Sequence, residues 1–117
     1  MSNRSEEEFL ADILEATMRA ISYIDGISYE EFIGDQKSQD AVIRTLEIAG
    51  EATKRLSFEL RESYSSIPWK SMAGLRDKLI HDYFGVNLEI VWTVVDNELP
   101  AVVNQIQEIL TKLAEKN

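Results

Sequence analysis

Cysteine is absent from the 117 residues, and His81 is the only histidine. No disulfide and no thiolate metal site can form in this chain, and a transition-metal site within one copy would have to be built from carboxylates. None of the familiar metal-ligand spacings occurs, nor a glycine-rich phosphate loop, nor a G-x-S-x-G nucleophile elbow. No metal and no cofactor is therefore expected. No apolar run approaches the roughly 18 residues of a membrane span, and Met1-Ser2-Asn3-Arg4 followed by three glutamates lacks the apolar stretch of a secretory signal. The simplest expectation is a cytoplasmic globular protein with no membrane attachment.

Positive charge is also scarce. Twelve Lys and Arg face 21 Asp and Glu, for a formal net charge of −9. An acidic body repels a polyanion, which argues against casual nucleic-acid binding. Half of the basic residues nevertheless fall in one stretch: Lys54, Arg55, Arg61, Lys70, Arg76 and Lys78. That stretch fits either a local basic rim able to hold RNA or charges that merely solvate helix faces.

The remaining composition, 44% apolar and 28% charged, is that of an ordinary globular protein. The length suits one domain, residues 1–117, with one hydrophobic core. Periodicity is helical throughout, with no strand alternation competing. A first helix is predicted from about Glu6 to Asp25, with Phe9, Leu10, Ile13, Leu14, Thr17, Met18, Ile21 and Ile24 on its buried stripe and Gly26 as its stop. Ser28 and Glu31 form a capping box for one short turn, closed by Gly34. Asp35 caps a second long helix carrying Val42, Leu46, Ala49, Ala52 and Leu56 inward, with Ala49 and Gly50 small enough for a close neighbour. The stretch from Ser57 to Ile67 reads as irregular or briefly helical. Pro68 suits the first position of a third helix running to about Phe84, before Gly85. Asn87 caps a fourth, whose stripe is Leu88, Val91, Trp92, Val95, Leu99, Val102, Ile106, Ile109 and Leu113. Pro100 inside that stripe predicts a kink near Asp96 to Pro100, or two abutting helices. The fold class expected is all-α: an antiparallel four-helix bundle with one short extra helical turn.

The acidic clusters Glu6-Glu7-Glu8 and Glu30-Glu31 sit at helix starts, where they complement the macrodipole, and read as structural. Candidate chemistry concentrates on the third helix. Arg76 and Tyr83, seven apart, differ by roughly 20° in helical rotation and share a face with Met72 and Ile80. Asp77 and His81, four apart, share another face with Lys70 and Gly74. Arg76 and His81 are five apart, about 140° around the axis. They meet only if the helix loosens towards Gly85, if Arg76 folds across, or if a second copy supplies the partner. Gly74, two turns before His81, would let a second subunit approach. An imidazole exchanges protons near neutral pH, a guanidinium steadies phosphoryl charge, a phenol donates a hydrogen bond, and Asp77 at i−4 could hold the ring and raise its pKa. Such a set suits metal-independent RNA cleavage by the ribose 2′-OH. The same residues also fit a bland account: a capping or surface histidine, an arginine snorkelling at an apolar edge, and a tyrosine packed beside Phe84.

The stretch Ile67-Pro68-Trp69 followed by Gly74-Leu75-Arg76-Asp77-Lys78-Leu79-Ile80-His81-Asp82-Tyr83-Phe84-Gly85-Val86 resembles the HepT-like family of the HEPN superfamily. Arg76, His81 and Tyr83 meet its R-x4-H-x-Y signature. Ile48-Ala49-Gly50-Glu51-Ala52 is similar to its second-helix motif, and Ile90-Val91-Trp92 to its fourth. The resemblance extends over about residues 5 to 115. It implies a four-helix HEPN fold and a homodimer whose active cleft lies between the two third helices. It further implies an endoribonuclease toxin of a type VII toxin–antitoxin pair, with Arg76, His81 and Tyr83 catalytic; Asp77 is expected to support them through its position one turn before His81, not through the resemblance. The implied antitoxin is a minimal nucleotidyltransferase that adenylylates Tyr83, adding bulk and negative charge beside Arg76. Many members carry Asn after the arginine, where this chain has Asp77. A different class of function, a non-catalytic helical partner of such a nucleotidyltransferase, is the alternative.

Overall fold

Local capping chemistry sets most of the helix boundaries. The computed structural model describes residues 5–81 and 86–116, without the side chains of 75, 76 and 78–81. Helix α1 (Glu6–Ile24) opens with a capping box in which Ser5 and Glu8 exchange side-chain and backbone hydrogen bonds. It ends at Asp25, followed by Gly26 at φ +80°, the left-handed turn that a residue without Cβ makes freely. The predicted Ser28/Glu31 box is present at the start of α2 (Tyr29–Ile33). Asp35 caps α3 (Gln36–Lys54), and hydrogen bonds from the Ser38 hydroxyl and amide hold its carboxyl below the ordinary aspartate range.

Within the stretch read as irregular or briefly helical, α4 (Phe58–Ser63) forms a short helix capped by Ser57. The amide and hydroxyl of Ser57 each donate to the Glu6 carboxylate at 2.6 Å, tying the start of α4 to the start of α1. Helix α5 (Trp69–His81) follows, with Met72 N–H bonded to the Pro68 carbonyl at 3.0 Å. Pro68 thus precedes the first helical residue by one position rather than occupying it; its missing N–H is equally harmless there. Asn87 caps α6 (Leu88–Thr93) by accepting from the amides of Glu89 and Ile90.

The break foreseen at Pro100 takes a specific form. Residues Val94–Glu98 widen into a π-helical turn, in which the Leu99 N–H reaches back five residues to the Val94 carbonyl. Helix α7 (Leu99–Lys116) then starts, with Pro100 in its first turn, where an N–H is not needed. Together α6, the π turn and α7 make the fourth long rod of the bundle.

Helix α1 packs chiefly on α3 and α7, and α3 packs on α5. Two apolar layers fill the interior. One joins Leu10 and Ile13 of α1 to Ala49 and Ala52 of α3, Trp69 and Met72 of α5, and Ile106 and Ile109 of α7. The other surrounds Phe32 with Ala20, Ile24, Val42, Leu46, Val91, Val95 and Leu99. Trp92 packs against Phe32 in a tilted arrangement, ring centroids 5.4 Å apart, and against Tyr29 in a T-shaped one at 5.9 Å. All-α architecture is thus as expected, and no strand occurs among the described residues.

Met18 departs from the predicted stripe and is 47% exposed, whereas Ala16 and Ala20 are buried. The buried face of α1 runs through Leu10, Ile13, Ala16, Thr17, Ala20 and Ile24, and Met18 falls outside it. Thr17, Thr45 and Thr53 are also buried. Each satisfies its hydroxyl by donating to a carbonyl of its own helix, at 2.8, 2.6 and 2.7 Å.

Phe32 sits on the five-residue helix α2 yet is fully buried. Phe32→Ala is expected to lower unfolding stability by about 3–5 kcal/mol, measured by denaturant titration. A loss below about 1 kcal/mol would show that α2 does not anchor the second layer.

Candidate active site

Two contacts fix where α5 begins and how it is rotated. Trp69 is buried and its indole N–H donates to the Tyr64 carbonyl at 3.0 Å, so the large ring is both packed and satisfied. Met72, one turn later, is buried in the same layer. From those anchors the helix remains α through His81.

Rotation by about 100° per residue then places the backbone positions. Arg76 stands about 40° from Met72, on the inward arc that also holds Trp69. His81 stands about 180° from Met72, on the outward side with Lys70, Gly74 and Asp77. Loosening of the helix before His81 does not occur, so the 140° offset expected between Arg76 and His81 holds for the backbone. The side chains of both lie outside the described residues, as does all of Tyr83.

Asp77, the predicted supporting residue, is described. Its carboxylate receives the ammonium of Lys54 at 2.6 Å, joining the last turn of α3 to α5. Lys54 was visible in the sequence only as one member of the basic stretch; its partner lies 23 residues away, beyond the reach of helical spacing. The pair places a positive charge against the acid that follows Arg76. It also places a cation at the C-terminus of α3, where the macrodipole favours one. Arg55 is likewise engaged, 3.5 Å from Glu51.

A cleft of about 370 Å³ opens between α5 and the fourth rod. Ser71, Met72 and Gly74 form one wall, Ile90, Val94, Leu99 and Val102 the other, and Leu46 and Ala49 of α3 close the floor. A Cβ added at Gly74 would meet nothing within 4 Å. Among the described residues no packing requires glycine there, and the backbone at Gly74 is open to approach. Ile90, at the cleft edge, is 40% exposed.

Among the described residues no group of three or more His, Cys, Asp or Glu side chains could hold a metal ion. No described helix is long and apolar enough to cross a membrane. The acidic residues at helix starts are structural in the way their positions suggested: Glu8 and Glu31 complete capping boxes and Glu6 holds Ser57.

The family model for HepT-like ribonucleases matches residues 13–109, which carry α3, α5, α6 and most of α1 and α7. This chain belongs to the HepT-like family. Its curated relatives agree. "Putative RNase MJ0127" of Methanocaldococcus jannaschii is 46% identical over 110 residues, 94% of this chain and 91% of that protein. "Putative RNase TTE0752" of Caldanaerobacter subterraneus is 45% identical over 93% of this chain and 97% of its own length. "Probable ribonuclease HepT" of Thermococcus cleftensis is 40% identical over 91% of this chain and 96% of its own. No solved structure matches. Membership places the chain among ribonucleases of the HEPN superfamily, in agreement with the resemblance carried by the α5 motif.

The Lys54–Asp77 pair is part-exposed at both ends, with side-chain exposures of 36% and 45%. Solvent screens such a pair, so Lys54→Met is expected to change unfolding stability by no more than about 1 kcal/mol. A thermal melt showing a much larger loss would mean that the pair, rather than the apolar layers, holds α5 on α3.

Proposed function

We infer that this HepT-like protein is a metal-independent endoribonuclease, the toxin of a type VII toxin–antitoxin pair, acting in the cytoplasm as a homodimer. The observation that carries the reading is the coincidence of family membership with the position of the motif. Arg76 and His81 both stand on α5, which is continuous and rigidly seated at Trp69 and Met72. Facing about 140° apart on one helix, they serve one phosphate when two copies bring their α5 helices together. The open backbone at Gly74 and the apolar cleft beside it supply a surface for that approach.

The chemistry is a transesterification. The 2′-OH loses its proton to a general base as its oxygen attacks the adjacent phosphorus. The P–O5′ bond breaks, and the departing oxygen takes a proton from a general acid. The products are a 2′,3′-cyclic phosphate and a 5′-hydroxyl. His81 carries the proton transfers, Arg76 stabilises the charge that builds on the phosphoryl oxygens, and Tyr83 positions the strand. Asp77, balanced by Lys54, supports the His81 side of α5. A minimal nucleotidyltransferase partner silences the site by transferring AMP to Tyr83, which adds bulk and negative charge beside Arg76.

One observation favours a second reading. A net charge of −9 is unhelpful for holding RNA, and suits instead a non-catalytic helical partner of a nucleotidyltransferase.

Purified protein incubated with RNA under excess chelator separates the two. Cleavage leaving 5′-hydroxyl ends is expected, with His81→Ala and Arg76→Ala each slower by about 10²- to 10⁴-fold. No cleavage by the wild type, or equal cleavage by His81→Ala, would leave the partner reading standing. Co-production with the nucleotidyltransferase is expected to add AMP units to the intact mass, and Tyr83→Phe to abolish the addition.

A further inference from the structure

Beside α4 and the outward side of α5 lies a shallow basin of about 710 Å³, separate from the apolar cleft apart from their shared rim at Pro68, Ser71 and Gly74. Phe58, Arg61, Glu62, Lys70 and Asp77 are among its lining residues. We propose that this basin is a subsite for single-stranded RNA. In it Arg61 and Lys70 hold phosphates, and Phe58 stacks on a base of the strand flanking the cut.

Three observations support the assignment. Phe58 is 68% exposed, the most exposed of the large apolar side chains among the described residues. An aromatic ring left in water beside cations that no described residue pairs is the arrangement that single-strand binding uses, because every base offers a face to stack on. Arg61 has its Nε shielded from solvent with no hydrogen-bond partner. The guanidinium has no described protein acceptor, and its terminal nitrogens, rather than the shielded Nε, are the donors offered to a phosphate. Neither Arg61 nor Lys70 is ion-paired to a described residue, while Lys54 balances the Asp77 carboxylate. The charged lining of the basin is balanced, Arg61 and Lys70 against Glu62 and Asp77, on a protein whose total is −9, and Lys54 from outside the basin offsets the Asp77 carboxylate.

Position links the basin to the chemistry. Lys70, Gly74 and Asp77 share one side of α5 with the backbone position of His81, all within about 40° of Lys70 in rotation. Lys70 and His81 are eleven residues apart, about 16 Å along the axis. A strand seated on Phe58 and Lys70 is therefore led along that side towards His81. This inference rests on the ribonuclease reading only for the identity of the strand as substrate; the binding itself can be measured without cleavage.

The test uses full-length protein carrying His81→Ala, so that RNA stays intact, and a fluorescein-labelled single-stranded oligoribonucleotide of mixed sequence. Anisotropy titrations are run at several salt concentrations. Phe58→Ala is expected to weaken binding by about 5- to 100-fold, with Phe58→Trp retaining it. The exposure of Phe58 leaves the fold in place, checked by an unchanged melt. Arg61→Gln with Lys70→Gln is expected to flatten the slope of log K against log salt by about 1.4, since each phosphate of a single strand that a cation neutralises adds about 0.7. Phe58→Ala should leave that slope unaltered. Unchanged affinity and slope in these variants overturns the proposal, as does lack of binding by the parent. Retained RNA binding together with lost capture of a nucleotidyltransferase would reassign the basin to protein docking, and likewise overturns it. Cleavage by the wild type is followed in parallel. Binding through the basin without cleavage sinks the ribonuclease reading and leaves the subsite; cleavage indifferent to the basin variants does the reverse.

Discussion

An α-helix turns about 100° per residue, and that pitch governs how this protein can work. Five residues separate Arg76 from His81, so one continuous helix directs them about 140° apart. Helix α5 is continuous through His81 and is fixed at its start by a buried tryptophan whose indole is hydrogen-bonded. A roll of the whole helix would turn both positions together and leave that offset unchanged. The inward arc of α5 is shared by Trp69, Met72 and the Arg76 position, and the outward side by Lys70, Gly74, Asp77 and the His81 position. Chemistry that needs both groups is accordingly a property of two copies in the proposed reading. The apolar cleft and the bare backbone at Gly74 gain a purpose there that the described residues of one copy do not give them.

Charge is distributed in keeping with that division. Part of the acidic content is tied into local structure, where Asp35 caps a helix, Glu8 and Glu31 complete capping boxes and Glu6 holds Ser57. Of the six basic residues clustered along the middle of the chain, Lys54 and Arg55 are matched by Asp77 and Glu51, and Arg61 and Lys70 face the basin beside α5. A protein can be strongly anionic as a whole and still offer cations where a polyanion must lie, because screening over about 8–10 Å at physiological salt makes the local pattern decisive. The Asp that follows Arg76 fits the same logic, since Lys54 offsets a carboxylate that would otherwise repel phosphate.

What could be read from the sequence was whatever is local in the chain. Ser28 with Glu31, Asp35, Gly26 and Asn87 mark helix ends through contacts spanning two or three residues, and each was legible. Pro100 announced a break, and the π turn at Val94–Glu98 is the form the backbone chose to route around a missing N–H. The motif of Arg76, His81 and Tyr83, with the flanking stretches at Ile48–Ala52 and Ile90–Trp92, pointed to the family, since these are runs of residues rather than sets of contacts. Illegible were the features that depend on which helices meet. Ala16 and Ala20 are buried where apolar content alone had favoured Met18, because the face that meets α3 and α7 is set by how the helices dock. The Glu6–Ser57 and Lys54–Asp77 contacts join residues 51 and 23 apart, a separation at which no periodicity operates. The basin likewise exists only because α4 folds as a helix beside α5, a stretch whose serines and charges suggested no more than an irregular or briefly helical link.

Sharing of one site between two chains is tested most directly by mixing two inactive variants. Arg76→Ala and His81→Ala proteins, each unable to cleave RNA alone, are combined and allowed to exchange subunits. If each site takes its arginine from one copy and its histidine from the other, a mixed dimer contains one site with both groups intact, and cleavage returns. If the two groups act within a single chain, every site in the mixture lacks one of them. Persistent inactivity, with subunit exchange verified, would contradict the composite site.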